Sequence, residues 1–156
     1  MFNSRIAFAM VSLLVLSGCS ATGPLYDGKV EVREGKAEIV VYRPDTFAHG
    51  GKSYYVHLDG QEVATLKNGG YVVLETTPEK HTVEIKASAL DLFFRTRTAE
   101  VLLQGRERKY LRLRPAIAGA FISPNLAVVP VSLGFTNVQE SQALTELQSL
   151  RQSIGQ

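Results

Sequence analysis

Side chains capable of chemistry are few in this chain, and the histidines are the first to consider. The three histidines are His49, His57 and His81, and three imidazoles can in principle hold a metal ion. They lack the close, paired spacing of metal-binding motifs, because His57 and His81 fall within strand-like runs and His49 within a glycine-rich loop. We therefore interpret the histidines as structural residues and predict neither a metal ion nor another cofactor.

Sequence motifs of common enzymes are also missing. The chain has no Gly-x-Ser-x-Gly nucleophile elbow, His-Glu-x-x-His helix, phosphate-binding glycine-rich loop or dinucleotide fingerprint. The carboxylates of Asp45, Asp59, Asp91, Glu62 and Glu75 are not paired at a spacing typical of catalysis, and Asp59 is explained by a turn. The sequence therefore favours a protein that is not an enzyme.

The one cysteine, Cys19, follows a segment built like an export signal. An apolar stretch over residues 6 to 16 is too short to span a bilayer as a helix, which needs about 20 residues. Leu16-Ser17-Gly18-Cys19 resembles the lipobox of bacterial lipoproteins, in which small residues precede a cysteine that receives a thioether-linked diacylglycerol. The resemblance implies that residues 1 to 18 are a signal peptide and that acylated Cys19 binds membrane lipid. The alternative is an ordinary signal peptide with a cysteine there by chance.

The residues after Cys19 bear on location. In lipoproteins of diderm bacteria an aspartate after the cysteine tends to retain the protein at the inner membrane, whereas this chain has Ser20. The resemblance therefore implies a cell-envelope protein on the outer membrane, facing the periplasm. Glycines and a proline are frequent over residues 19 to 36 and large apolar side chains are few, which is typical of a tether. We expect residues 19 to 36 to be the lipidated cysteine and a short tether.

Arginines form a further candidate site. Four of them are close in sequence to three aromatic residues, and the set is Arg95, Arg97, Arg112, Arg114, Phe93, Phe94 and Tyr110. Converging on one surface, they would bind anionic lipid headgroups, phosphate or sugar acids. The alternative is a solvated face whose charges protect a sheet edge, since Glu100 and Glu107 dilute the cluster. A formal net charge of +2 is too balanced to suggest a nucleic-acid partner.

The elements that must position these residues are mainly strands. From Ala37 onward, apolar and polar residues alternate, and the pairs Asp59-Gly60 and Asn68-Gly69 predict tight hairpin turns. The pattern predicts an all-β fold, a small antiparallel β-sandwich of about seven strands over residues 37 to 136. Residues 115 to 139 carry no charge but contain prolines that would break a membrane-spanning helix, so we predict an irregular, packed segment there.

The chain's last part has helical periodicity. Ala143, Leu147, Leu150 and Ile154 recur at helical spacing in a polar background, which predicts a C-terminal amphipathic helix over residues 137 to 156. Asn137 and Glu140 are spaced as a capping box at its start. The simplest use of the apolar stripe is to cover the chain's own sheet.

Several of these strand and turn motifs occur together in a known family. The motifs are Tyr42-Arg43-Pro44 at a strand end, Asp59-Gly60, Asn68-Gly69-Gly70-Tyr71, and Pro78 with His81 before a strand. In these residues the chain resembles bacterial lipoproteins with a DUF2846-type domain, a domain of unknown function similar to PEGA and carboxypeptidase-regulatory β-sandwich modules. The resemblance implies a β-sandwich outside the cytoplasm and no established activity. Glu79 stands where the family has glycine, so the turn after Pro78 differs.

These observations together predict a lipid-anchored cell-envelope lipoprotein that serves as a non-catalytic binding or structural module. One alternative is a subunit of an envelope complex, of the secretion, pilus or efflux type, that docks a partner protein through residues 115 to 139. Another is a hydrolase of envelope polymers. A deep cleft with converging carboxylates would favour the hydrolase, whereas a shallow surface with exposed aromatic and arginine residues would favour the module.

Overall fold

Strands dominate the computed structural model, which describes residues 20–47, 49–88, 91, 94–117, 121–123, 126–128 and 131–154. The elements are β1 (Ala37–Arg43), β2 (Tyr54–Leu58), β3 (Gln61–Leu66), β4 (Gly70–Thr76), β5 (Lys80–Lys86), β6 (Arg97–Leu102), β7 (Arg108–Ile117), β8 (Phe121–Ser123), β9 (Leu126–Val128), β10 (Val131–Val138), α1 (Glu140–Leu147) and β11 (Arg151–Gln152). They confirm the predicted all-β sandwich with a C-terminal helix. Within the described ranges, no helix has the length and apolar character needed to cross a membrane.

The first sheet has five strands in the order β10-β7-β1-β4-β11. Its centre is β1, which is antiparallel to β4 but parallel to β7, and β11 is also parallel to β4. Every residue of β1 is buried, because strands flank it on both sides and side chains pack on both of its faces. The first sheet is therefore mixed, with two parallel pairs among the antiparallel pairs that the sequence pattern predicts.

The second sheet has four antiparallel strands in the order β3-β2-β5-β6. On β5, His81, Val83 and Ile85 are buried while their neighbours are not, which confirms the alternation in the sequence. The turn from β2 to β3 places both Asp59 and Gly60 at positive φ, 50° and 85°, as a tight hairpin requires.

The main core lies between the two sheets. Alternate residues of the central strands point into it and are buried, and they include Ile39, Val41, Leu111 and Leu113 from the first sheet and Tyr54, Val56, Val83 and Ile85 from the second. Each fully buried side chain of this size contributes about 1.5–3 kcal/mol relative to exposure. Burial of these residues makes the two sheets one folded unit.

A second core lies on the outer face of the first sheet. There Val40, Tyr42 and Tyr110 are covered by Ala143 and Leu147 of α1. The apolar stripe of the helix thus covers the chain's own sheet, as the sequence predicts. The helix is shorter than the predicted 137 to 156, because β10 extends to Val138 and β11 follows it. The capping-box prediction is wrong, since Asn137 pairs with Leu111 in β10 and the N-cap residue, Gln139, makes no side-chain cap bond.

The described residues within 115 to 139 lie mostly in strands, so the prediction of an irregular segment is wrong for them. They contain the end of β7, the short β8–β9 hairpin and β10, so the described chain has more strands than the seven predicted. Pro115 lies opposite Leu133 of β10. The pairing of β7 with β1 ends at Arg112, so the other side of β7 is open at Pro115. A proline is tolerated at such an edge because its missing N–H leaves no ladder bond unmade.

The segment expected to be a tether instead packs on the sandwich. Ala21 and Val32 are buried, and the Tyr26 ring contacts the Tyr71 ring edge-on at a centroid distance of 5.0 Å. The backbone N–H of Gly23 donates to the carbonyl of Gln152 at 3.0 Å. A few apolar side chains and backbone pairing with the C-terminal residues therefore hold residues 20 to 33 against the domain.

Candidate functional site

One end of the sandwich carries an exposed phenylalanine and several exposed cations that the folding of the domain does not require. We define it by three register positions: Arg43 at the end of β1, Gly70 opposite it in β4, and Tyr54, whose ring lies 5.0 Å from the Arg43 guanidinium. We call it the proximal end, and the opposite end, with the Asp59-Gly60 turn, the distal end. The described residues of loop 44–53, the end of β5 and the start of β6 lie at the proximal end, and β7 and β10 extend past β1 there.

Asn68 joins the start of the described chain to this end. Ser20 forms a bridge with Asn68, and the N–H of Ala21 donates to the Asn68 carbonyl at 3.0 Å. The Asn68 side chain accepts a hydrogen bond from the N–H of Thr46 at 3.2 Å and donates one to Asp45. The buried Asn68 therefore connects the residue after Cys19 with loop 44–53.

Arg43 fixes the shape of loop 44–53. Its fully buried guanidinium donates to the carbonyls of His49 and Lys52, each at 2.6 Å. Burial lowers the pKa of Arg43, although the neighbouring Tyr54 and Asp45 act in the opposite direction. Because one side chain binds two backbone carbonyls of the loop, Arg43 restricts the backbone conformation of the loop at His49 and Lys52.

Phe47 stands at the tip of this loop with its side chain in solvent. Its relative exposure is 105%, so the ring has no contact that shields it. The described part of the chain has no other large hydrophobic residue exposed to this degree. A phenylalanine held outward on a fixed loop, rather than folded into the core, is typical of a contact surface.

A shallow cavity of about 690 Å³ lies beside Phe47 on the outer face of the first sheet. It is lined by Pro44, Thr46, Phe47, Arg112, Arg114, Pro115 and Glu146. Arg112 pairs with Glu146 at 2.5 Å, and the Tyr42 hydroxyl donates to Glu146 at 2.8 Å.

The network around Glu146 favours its ionised form. Burial opposes ionisation, but hydrogen bonds from Tyr42 and Gln142 and the charge of Arg112 outweigh it and lower its pKa. Arg114 forms no ion pair with any residue that the structure describes, and it is exposed.

Charge is divided unequally between the two ends. Cations outnumber carboxylates in the proximal half, where the cations are Arg43, Lys52, Lys67, Lys86, Arg95, Arg97, Arg112, Arg114 and Arg151 and the carboxylates are Asp45, Glu84, Asp91 and Glu146. Carboxylates outnumber cations in the distal half, where the carboxylates are Glu31, Glu34, Glu38, Asp59, Glu62, Glu75, Glu79, Glu100, Glu107 and Glu140 and the cations are Lys29, Arg33, Lys36, Lys80, Arg106, Arg108 and Lys109. The near-neutral chain is therefore electrically polar along its strands.

The four predicted patch arginines share the proximal half but not one face. Arg112 and Arg114 lie on the outer face of the first sheet, whereas Arg97 lies in β6 of the second sheet, opposite Ile85. Arg95 precedes β6 and is exposed. The arginines therefore surround the proximal end instead of forming a compact pocket.

The two predicted patch aromatics that the structure describes, Phe94 and Tyr110, do not form a surface with the arginines. Phe94 stacks on Tyr54 at a centroid distance of 5.0 Å and packs against the main core. Tyr110 is buried in the second core, and its hydroxyl donates to Glu140 at 3.2 Å. Phe93 lies outside the described residues, as do Leu16, Ser17, Gly18 and Cys19.

The histidines have structural partners. His81 is buried, and its Nδ1 lies 2.7 Å from Asp59 while its Nε2 lies 3.0 Å from the Thr77 carbonyl. Burial lowers the pKa of His81, but these two acceptors outweigh burial and raise it. His49 lies 3.3 Å from the Tyr54 hydroxyl. Across the described ranges, no three His, Cys, Asp or Glu side chains are grouped closely enough to hold a metal ion.

Sequence reasoning does not identify Phe47, the exposed ring of this end, or Asn68, whose side chain joins the loop to the start of the described chain. The sequence does place Phe47 between Pro44 and Gly50, in a segment without strand or helix periodicity. A large apolar residue in such a loop is the signal that could have identified it. Comparison with protein-family models, curated proteins and solved structures finds no match to the chain.

Proposed function

We propose that this protein is a lipid-anchored lipoprotein of the bacterial cell envelope, with acyl chains on Cys19. The observation that carries the proposal is the order of residues 1 to 19, an apolar export segment followed by Leu16-Ser17-Gly18 and the only cysteine of the chain. A single acyl chain binds a membrane marginally, so the two or three chains of a lipoprotein provide stable anchoring.

The start of the fold supports this proposal. Ser20 pairs with Asn68 and Ala21 is buried, so the chain is packed against the domain at the two residues that follow Cys19. Cleavage before Cys19 would therefore leave every contact between described residues in place. The modified cysteine would then emerge at the proximal end.

Within the envelope, we propose a non-catalytic binding or structural module. Two pairs that could attract a catalytic interpretation have internal structural uses. Asp59 and His81 tie the β2–β3 turn to β5, and Glu146 with Arg112 ties α1 to β7. The exposed features of the proximal end, Phe47 and Arg114, are better suited to contact than to chemistry.

The proposal is tested by labelling cells with a radioactive fatty acid and floating their membranes on a density gradient. Cys19→Ala should abolish the label on the protein, because the variant has no thiol to acylate. Ser17→Ala, which keeps a small residue before the cysteine, is the matched control and should remain labelled and float with membranes. Equal labelling of the two variants would place the acyl group elsewhere and overturn the proposal.

A further inference from the structure

We infer that the proximal end of the sandwich rests on the bilayer, with Phe47 inserted among the lipid headgroups and the surrounding cations facing anionic phosphates. The inference rests on the proposed acylation of Cys19 and adds to it a fixed orientation of the domain. A lipid anchor alone permits any orientation, so the orientation must come from the domain.

The first argument is the length of the linker between the acylated residue and the domain, which is a single peptide bond. Consecutive Cα atoms are about 3.8 Å apart, so the Cα of Cys19 lies that far from Ser20. Ser20 and Ala21 are already bound to Asn68. An acyl chain on Cys19 therefore holds the proximal end, and no other part of the domain, at the membrane surface.

The second argument is the position of the exposed aromatic ring. Asn68 accepts hydrogen bonds from Thr46, the residue before Phe47, and from Ala21, two residues after Cys19. The exposed ring and the anchored end of the chain are therefore both held by Asn68. Arg43 fixes the loop that carries the ring. Apolar side chains of interfacial helices are buried about 5–10 Å into the boundary between headgroups and acyl chains, and we expect a similar depth for this ring.

The third argument is charge. The proximal half carries an excess of cations and the distal half an excess of carboxylates. Anionic lipids attract cations near the membrane surface and repel carboxylates, and the effect falls off within a Debye length. With the proximal end down, Arg95 and Arg114 approach the phosphates while the acidic end points away.

The fourth argument is the composition of the β7–β10 pair. Its strands continue past Arg43 to the pair Ile117 and Val131, on the same side of the molecule as Phe47. The sequence from residue 115 to 139 contains no charged residue, so contact with headgroups buries no ion there. A partner protein would also fit an uncharged edge, but only a membrane accounts for the anchor and the cations at the same end.

Tryptophan fluorescence tests the orientation directly, because the chain contains no tryptophan. Phe47→Trp places one reporter at the proximal end. Leu102→Trp is the matched control, since Leu102 is also an exposed apolar residue, 68% accessible, but lies at the distal end opposite Lys80. Both full-length genes are expressed in a bacterium that processes lipoproteins, and the purified acylated proteins are reconstituted into vesicles of phosphatidylcholine and phosphatidylglycerol in roughly equal amounts.

We expect the Phe47→Trp emission to shift to shorter wavelength in vesicles and to fall about twofold when brominated lipids are included, as an interfacial ring should. The Leu102→Trp emission should not change. In vesicles of phosphatidylcholine alone, brominated lipids should quench the Phe47→Trp emission less than they do in the anionic vesicles. The cations of the proximal end would have no anionic surface to bind there.

Mass spectrometry of the same samples separates the two proposals. If Cys19 is acylated and the Trp at position 47 is not quenched, or the Trp at position 102 is quenched equally, the orientation is wrong while the lipoprotein assignment stands. If Cys19 is not acylated, the proposed function fails and the orientation fails with it. Quenching that is the same in both lipid mixtures would overturn the role given to the cations.

Discussion

Arg43→Met should destabilise the protein by loosening loop 44–53. Methionine keeps most of the side-chain length but removes the two donors to the carbonyls of His49 and Lys52. Hydrogen bonds from a charged group are worth about 1.5–3 kcal/mol each. Part of this loss is offset because a buried guanidinium no longer needs to be desolvated, and because the freed carbonyls can meet water. We expect a net loss of about 2–4 kcal/mol in the free energy of unfolding.

Thermal unfolding of the detergent-solubilised protein, followed by circular dichroism, measures this effect. At roughly 3–4 °C per kcal/mol for a domain of this size, the midpoint should fall by about 6–16 °C. Arg114→Met is the control, because Arg114 is exposed and forms no ion pair among the described residues, and it should change stability by less than about 0.5 kcal/mol. An Arg43→Met variant as stable as the control would refute the argument that Arg43 organises the loop.

Three further outcomes are expected. Gly70→Ala should lose about 1–3 kcal/mol in urea unfolding, because the new Cβ would clash with the Ser153 hydroxyl, the Lys67 carbonyl and the Ala21 side chain. Leu147→Ala should lose about 2–5 kcal/mol in the same assay, since Leu147 is fully buried between α1 and the first sheet. The raised pKa of His81 means that its pairing with Asp59 stabilises the fold fully below about pH 6.5 and less as pH rises through the raised value. The stability difference between the wild type and His81→Gln should therefore shrink between pH 6 and pH 9, and a constant difference would contradict this linkage.

Local features of the fold follow from the sequence. The Asp59-Gly60 turn is predictable because the two residues that need positive φ are adjacent and of the right type. The burial pattern of β5 is predictable because alternation needs only neighbours along one strand. The helical stripe likewise contains its own period, and Ala143 and Leu147 point at the sheet as expected.

Non-local features do not follow from it. The parallel pairing of β1 with β7 joins Tyr42 to Arg112, and no residue near either one encodes that choice. Pro115 reads as a strand breaker because its open edge is visible only once β1 is known to end beside Arg112. The packing of residues 20 to 33 on the sandwich could not be predicted, because these residues pair with the segment around Gln152, near the other end of the sequence.

The arrangement of the predicted arginine and aromatic patch could not be derived from the sequence. The arginines at positions 95, 97, 112 and 114 all lie in the proximal half, but the sequence predicts neither that half nor the two sheets that carry them. The sequence suggests Phe94 and Tyr110 as contact residues, but Phe94 packs against the main core and Tyr110 is buried in the second core. Aromatic rings bury a large apolar area, so a β-rich domain uses them for packing. The resemblance to DUF2846-type lipoproteins stays a prediction.

The central claim is a covalent bond between lipid and the thiol of Cys19, and intact-mass spectrometry of the protein extracted from bacterial membranes tests it most directly. The account predicts a chain that begins at residue 19, lacks residues 1 to 18, and carries a diacylglyceryl group on the sulfur. A mass that retains residues 1 to 18, or a Cys19 thiol that still reacts with a maleimide, would contradict it.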